Sequence, residues 1–97
     1  MTAVYVVATF NVKPNHQEAG RTLIEGFVAP SLEQRGCLFY DLYQCADDPC
    51  ELVIVDGWAS PEDLDGHANS SHVQETVSKL APLLDKPAQV KVYRKLL

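Results

Sequence analysis

The sequence predicts an α+β domain with one four-stranded antiparallel sheet and helices on a single face. Two observations carry this. Four short runs alternate with a period of two and are rich in β-branched and aromatic residues, over 3–12, 37–45, 51–58 and 89–94. Two longer stretches, before and after the middle pair of runs, repeat their apolar residues at helical spacing. The order is therefore β-α-β-β-α-β, and right-handed crossovers turn that order into the ferredoxin-like arrangement.

The first run places Val4, Val6, Ala8, Phe10 and Val12 on one face and Tyr5, Val7, Thr9 and Asn11 on the other. Both faces are largely apolar, whereas a sheet covered on one side only shows a polar outer face. The second face is expected to meet another subunit. Pro14 ends the strand. Asn15 is placed to cap a helix, with Glu18 completing a capping box. Leu23, Ile24, Phe27 and Leu32 form its apolar stripe. Pro30 removes the amide that would bond the Gly26 carbonyl, which predicts a kink or a tightened last turn. Gly36 is placed to end the helix in a left-handed conformation.

In the second run Leu38, Tyr40 and Leu42 share one face, and Phe39, Asp41 and Tyr43 the other. Asp47-Asp48-Pro49 reads as the turn. In the third run Leu52, Ile54, Asp56 and Trp58 share a side. Ser60 caps the next helix, Pro61 fits its first turn, and Glu62 and Asp63 suit the positive end of its dipole. Gly66 and Asn69-Ser70-Ser71 interrupt that helix. Ser71 with Gln74 reads as a fresh capping box, before Val73, Val77, Leu80, Ala81 and Leu84 recur at helical spacing. Pro82 and Pro87 close it, and Val90 and Val92 alternate in a last strand.

With 97 residues the chain reads as one domain, 1–97. A domain this short buries only about 60–65% of its unfolded surface, so dimerisation is an effective way to bury more. Eight basic residues against thirteen acidic ones give a net charge of -5. That disfavours nucleic acid and anionic membranes, which need clustered Lys and Arg. The N-terminal apolar run lacks a preceding basic region and no run reaches membrane-spanning length, so the expected compartment is the cytoplasm. Cys37, Cys45 and Cys50 are an odd count without C-x-x-C spacing, which argues against a disulfide framework or a zinc site. Cys45 and Cys50 are expected to face each other across a hairpin, as reduced thiols. No metal site is expected.

The stretch from Trp58 to His72 holds the only Trp and two of the three His, at the junction of sheet and helix. Around it the chain resembles the antibiotic biosynthesis monooxygenase domain family, which includes quinol monooxygenases. The matching segments are Val6-Val7-Ala8-Thr9-Phe10 with Val12-Lys13-Pro14, the run from Gly36 to Tyr43, Asp56-Gly57-Trp58, Ser60-Pro61-Glu62, His67, Ser71-His72, and Leu80-Ala81-Pro82-Leu83-Leu84. They span essentially the whole chain. The resemblance implies a homodimeric α/β barrel built from two face-to-face sheets, with a pocket between sheet and helices in each subunit. It implies oxidation of a small quinol or aromatic phenol with O2, without metal, flavin or haem. Alternatives on the same scaffold are isomerisation of a small carbonyl metabolite and non-catalytic binding of a small molecule.

Such oxygenation needs a base, hydrogen bonds to hold a substrate anion, and a dry cavity. His67 is the candidate base, where the family commonly has a His; its other reading is a residue bridging the helix break. His72 reads as a helix cap and His16 as a surface residue. Trp58, Tyr43, Asp56 and Asn11 are the candidate substrate contacts. Trp58 is either an aromatic wall or a core residue. Asp56 either orients a ligand or pairs with Arg94 or Lys91. Of Tyr40 and Tyr43, on opposite faces of one strand, at most one can reach the pocket. The haem-degrading branch carries an Asn, a Trp and a His where this chain has Ala8 or a neighbour, His67 and Val77, which disfavours haem degradation. Ile54 stands where some oxygenases carry an Asn. Gly57 replaces a frequent larger basic residue and is expected to widen the pocket.

Overall fold

The computed structural model describes residues 2–97. In chain order it contains β1 (Val4–Asn11), a 3-10 turn (Pro14–His16), α1 (Gln17–Glu25), α2 (Val28–Leu32), β2 (Cys37–Cys45) and β3 (Asp48–Trp58). There follow α3 (Pro61–Ala68), α4 (Ser71–Leu80), a second 3-10 turn (Ala81–Leu83) and β4 (Gln89–Tyr93). The sheet order is β2-β3-β1-β4 and every neighbouring pair is antiparallel. This is the ferredoxin-like topology that the alternation predicts. Among the described residues no helix is long and apolar enough to cross a membrane.

The inner face carries the core. Val4, Val6, Ala8 and Phe10 of β1 alternate with half-buried neighbours, and Leu52, Ile54, Asp56 and Trp58 of β3 lie beside them. Ile24, Phe27 and Leu80 press down from the helices. The first helical segment differs from expectation at both ends. Asn15 does not cap it. The chain enters through the 3-10 turn, and α1 starts without a side-chain cap. Before Pro30 the helix tightens, Phe27 N–H bonding the Ile24 carbonyl at 3.1 Å, and it restarts as α2. That tightening shifts the helical phase. Ser31, four residues after Phe27, becomes fully buried, while Leu32 points to solvent instead of joining the stripe. Gly36 has φ 78°, the left-handed value expected of it, and a Cβ there would collide with the Asp63 carboxyl.

The β2–β3 hairpin turns at Ala46 and Asp47, with β3 beginning at Asp48, rather than at Asp47-Asp48-Pro49. Cys45 pairs with Asp48, yet Gln44 pairs with Leu52, so β3 carries three extra residues next to the turn. Cys45 therefore faces Asp48 and not Cys50, and all three cysteines are free. A second irregularity between Cys37 and Phe39 turns Leu38 out to solvent, against its expected place beside Tyr40. Gly57 lies on the outer face, where the Phe39 ring covers it; a Cβ would strike that ring. Gly57 thus makes room for Phe39 and does not widen the inner side.

Ser60 caps α3 as expected, its hydroxyl accepting from Asp63 N–H at 3.1 Å. Helix α3 runs through Gly66 and ends at Ala68. Ser70, not Ser71, precedes α4, and Gln74 donates back to the Ala68 carbonyl at 2.8 Å rather than closing a capping box. Strand β4 is exposed throughout, although Val90 and Val92 lie opposite the inner-face residues Ala8 and Val6.

Candidate functional site

Alternation along β3 brings Asp56 and Trp58 to the inner face, two residues apart. Asp56 is 3% exposed and Trp58 is 0% exposed. The Trp58 indole N–H donates to Asp56 Oδ2 at 2.7 Å. The chain then turns through Ser60, and the two turns of α3 carry His67 back over Trp58. The two rings stack with centroids 4.5 Å apart and planes at 29°. Tyr40, the cross-strand partner of Asp56, meets the His67 ring edge-on at 5.5 Å. Asp56, Trp58, His67 and Tyr40 form one packed unit.

The proton positions follow from the partners. Gln34 Oε1 lies 2.6 Å from His67 Nδ1. An amide oxygen only accepts, so the His67 proton sits on Nδ1 and Nε2 keeps its lone pair. Ser70 Oγ donates to the His67 carbonyl at 2.6 Å. Having used its proton there, it accepts from His72 Nδ1 at 3.3 Å. His72 Nε2 lies within hydrogen-bond distance of Ser31 Oγ, at 3.2 Å. His72 is therefore no cap. It ties α4 to the buried Ser31 of α2 and holds the roof of the site.

Beneath that roof is a cavity of about 320 Å³, of small-molecule size. Val6, Ala8 and Ile54 form its floor, and Leu64, Ala68, Val73 and Val77 its roof. Tyr40, Asp56 and His67 stand together at one end. Phe10, four residues along β1 from Val6 and so roughly 13 Å away, marks the other end. A second cleft of about 580 Å³ lies outside, lined by Gln34, Arg35, Ser60, Glu62, Asp63, Gly66 and the outer side of His67. It is larger and more polar than the inner cavity. The inner cavity has the apolar walls and clustered titratable groups that reaction chemistry requires.

Burial dominates the electrostatics. It pushes the Asp56 carboxyl up to about 6, against the smaller downward pull of the Trp58 N–H. Burial first, and the neighbouring His72 second, together lower His67 to about 4. Burial first, and the Asp56 charge second, raise the Tyr40 phenol above its ordinary value. Near neutral pH, Tyr40 and His67 are thus uncharged while Asp56 is an anion that readily takes a proton. The two shifts have opposite consequences for stability. Asp56 is raised, so its contribution is full below its ordinary 3.8 and is lost as pH rises through about 6. His67 is lowered, so its contribution is full above its ordinary 6.5 and is lost as pH falls toward about 4. Relative to the parent chain, Asp56→Asn is expected to gain stability as pH rises from 4 to 6.5, and His67→Gln to gain it as pH falls. Each change is on the order of 2–3 kcal/mol. Urea unfolding across that range measures it; slopes of the same sign in both variants would contradict the assignment.

Of the residues singled out in the sequence, the structure brings His67, Asp56 and Trp58 together. Trp58 stands behind the cavity wall, not on it. Asp56 forms no ion pair with Arg94 or Lys91. Its partner is the Trp58 indole, and Lys91 lies opposite Val7 on the outer face. Tyr43 is 56% exposed and pairs with Val53 on the outer face, and Asn11 faces outward opposite Glu51. Tyr40 is the tyrosine that reaches the cavity. Gln34 and Ser31 were not singled out. Ser31 left a faint signal, as a polar residue four places after Phe27. Gln34 left none, because its role comes from a residue 33 places away. Among the described residues, no group of three or more His, Cys, Asp or Glu side chains is placed to hold a metal ion.

A family model described as antibiotic biosynthesis monooxygenase matches residues 3–79. Rv0793 of Mycobacterium tuberculosis, named as a candidate monooxygenase, is 35% identical over 89 residues, which are 92% of this chain and 87% of that protein. Its solved structure superposes with a TM-score of 0.93, covering 98% of this chain and 96% of that one, at 34% identity. A conserved protein from Methanosarcina mazei gives a TM-score of 0.92 at 32% identity, over 99% and 95% of the two chains. The uncharacterised protein sll1783 of Synechocystis is 30% identical over 91 residues, 94% of this chain; the chain spans 62% of that protein's length.

Proposed function

The chain belongs to the antibiotic biosynthesis monooxygenase family, and on that premise we propose that it is a homodimeric, cofactor-independent monooxygenase that oxidises a small quinol or aromatic phenol with O2. The observation that supports this most is a buried carboxyl titrating at about 6, at the polar end of an apolar cavity. A general base works best when its pKa lies near the working pH. At about 4, His67 is too weak a base for that task. The proton-accepting role assigned to His67 from the sequence therefore passes to Asp56.

The groups divide the work. Asp56 takes the proton from a substrate hydroxyl, and the Trp58 N–H keeps the carboxylate in place. Tyr40, held neutral, donates a hydrogen bond to the resulting oxyanion, and His67 Nε2 accepts from a second hydroxyl. The electron-rich ring passes its electrons to O2 in a largely apolar cavity. One oxygen atom forms a new bond to ring carbon and the other leaves as water, so hydroquinone plus O2 yields hydroxyquinone plus water. Tyr43 and Asn11, on the outer face with the half-buried Tyr5, Val7 and Val55, belong in this reading to the sheet-to-sheet dimer surface.

Oxygen uptake with hydroquinone, methylhydroquinone and naphthohydroquinone, on protein whose dimeric state is checked by sedimentation, tests the proposal. The expected result is uptake above the buffer rate, one O2 per substrate, and one atom of labelled oxygen in the product. Uptake no faster than autoxidation with every substrate would remove the reading. The cross-strand pairing of Tyr40 with Asp56 also favours a second reading. A base beside a neutral phenol donor can move a proton next to a carbonyl, as an isomerase does. Turnover under anaerobic conditions separates the two.

A further inference from the structure

At its far end the inner cavity adjoins a second apolar space. Phe10, Val77 and Ala88, which line that end, also line an outer groove of about 420 Å³, together with Ala81 and Leu84. The two spaces share these three side chains and so adjoin as one apolar run. Its first charged side chains after Asp56 are Asp85 and Lys86 at the outer rim. Val77, at the junction, is 47% exposed, so the chain's own core leaves this apolar surface uncovered. The groove wall is anchored rather than loose. Lys13 N–H bonds the Leu83 carbonyl at 2.8 Å, and Asp85 N–H bonds the Asn11 carbonyl at 2.7 Å.

We propose that this groove is a subsite for an unbranched hydrocarbon tail, so that the ligand is a tailed phenol or quinol with its ring at the Tyr40–Asp56 end. The proposal rests on the phenol or quinol reading above. A single ring at the polar end leaves the Phe10–Val77–Ala88 half of the cavity unfilled, and a para substituent points along it into the groove. Apart from the exposed Gln74, the walls between the Tyr40–Asp56 end and the rim are apolar, so added methylenes leave water at little cost in polar desolvation.

Calorimetric titration with 4-alkylphenols, from 4-methylphenol to 4-octylphenol, tests this on the intact protein. The expected result is an affinity rising about two- to fourfold per methylene. Ala81 is exposed in the second 3-10 turn, so Ala81→Glu charges the groove without disturbing the core. In that variant the rise with chain length is expected to collapse, with 4-methylphenol as the internal reference. A flat series in the parent protein overturns the proposal, and so does a rise that Ala81→Glu leaves intact. If no phenol binds, the head-group reading fails, and n-alkanols from hexanol to decanol then read the groove alone. Chain-length-dependent alkanol binding that Ala81→Glu abolishes upholds the groove; no alkanol binding overturns it.

Discussion

Asp56→Asn is expected to lower kcat for hydroquinone oxidation by about 10²–10⁴-fold, the usual range for removing a general base. The change is nearly isosteric, and an Asn side-chain oxygen can still accept from the Trp58 indole, so the fold is retained. The pH profile supplies the sharper test. With Asp56 as the base, the rate rises with pH through about 6, where the carboxyl gives up its proton, and then levels. His67 lies too low, at about 4, to produce that limb. His67→Gln is expected to reduce the rate less and to leave the limb near 6 in place. An Asp56→Asn enzyme with undiminished kcat, or a limb that disappears only in His67→Gln, would return the basic role to the imidazole.

Trp58→Phe is expected to have the largest effect on stability. Trp58 is wholly buried, stacks on His67 and donates to Asp56. Phenylalanine leaves a gap beneath His67 and strips the buried carboxylate of its donor. The cost is expected to be about 2–4 kcal/mol at pH 8, from the gap and the unpaired acceptor together. At pH 5 Asp56 is protonated in both proteins, so the gap remains but the unpaired acceptor is neutral, and the cost falls to about 1–3 kcal/mol. The same substitution raises the Asp56 pKa, because the indole N–H is what pulls it down. The rising limb of the rate profile moves to higher pH with it. Urea midpoints at the two pH values give the first quantity and the rate profile the second. Equal losses at pH 5 and pH 8 would mean that the indole N–H does not favour the ionised carboxyl.

The site was half legible. Asp56 and Trp58 fall on one face by simple alternation, and the Ser60 cap places α3 directly after them. The choice between Tyr40 and Tyr43 was not legible, and the reason is geometric. A tight turn at Ala46 and Asp47 with regular pairing continues Cys45↔Asp48 into a register that sets Tyr40 opposite Val53. Three extra residues in β3 move the partner of Gln44 to Leu52, an odd shift that exchanges the faces. Tyr40 then pairs with Asp56 and points inward. The pKa order was equally hidden. A His is the natural base near neutral pH only while water reaches it; stacked on Trp58 and roofed by α4, His67 loses that stability of charge.

Local sequence patterns sufficed for the element order, the antiparallel sheet, the inner-face residues of β1 and β3 and the left-handed stop at Gly36. All of these follow from local periodicity, caps and turn chemistry, which act within a few residues of themselves. Long-range packing settles which tyrosine meets Asp56, that Gln34 accepts the His67 Nδ1 proton, that Ser31 rather than Leu32 is buried, and that burial lifts the carboxyl above the imidazole. Each depends on a register or a packed contact between residues far apart in the chain. Burial, the largest cause of both pKa shifts, exists only once those contacts have formed.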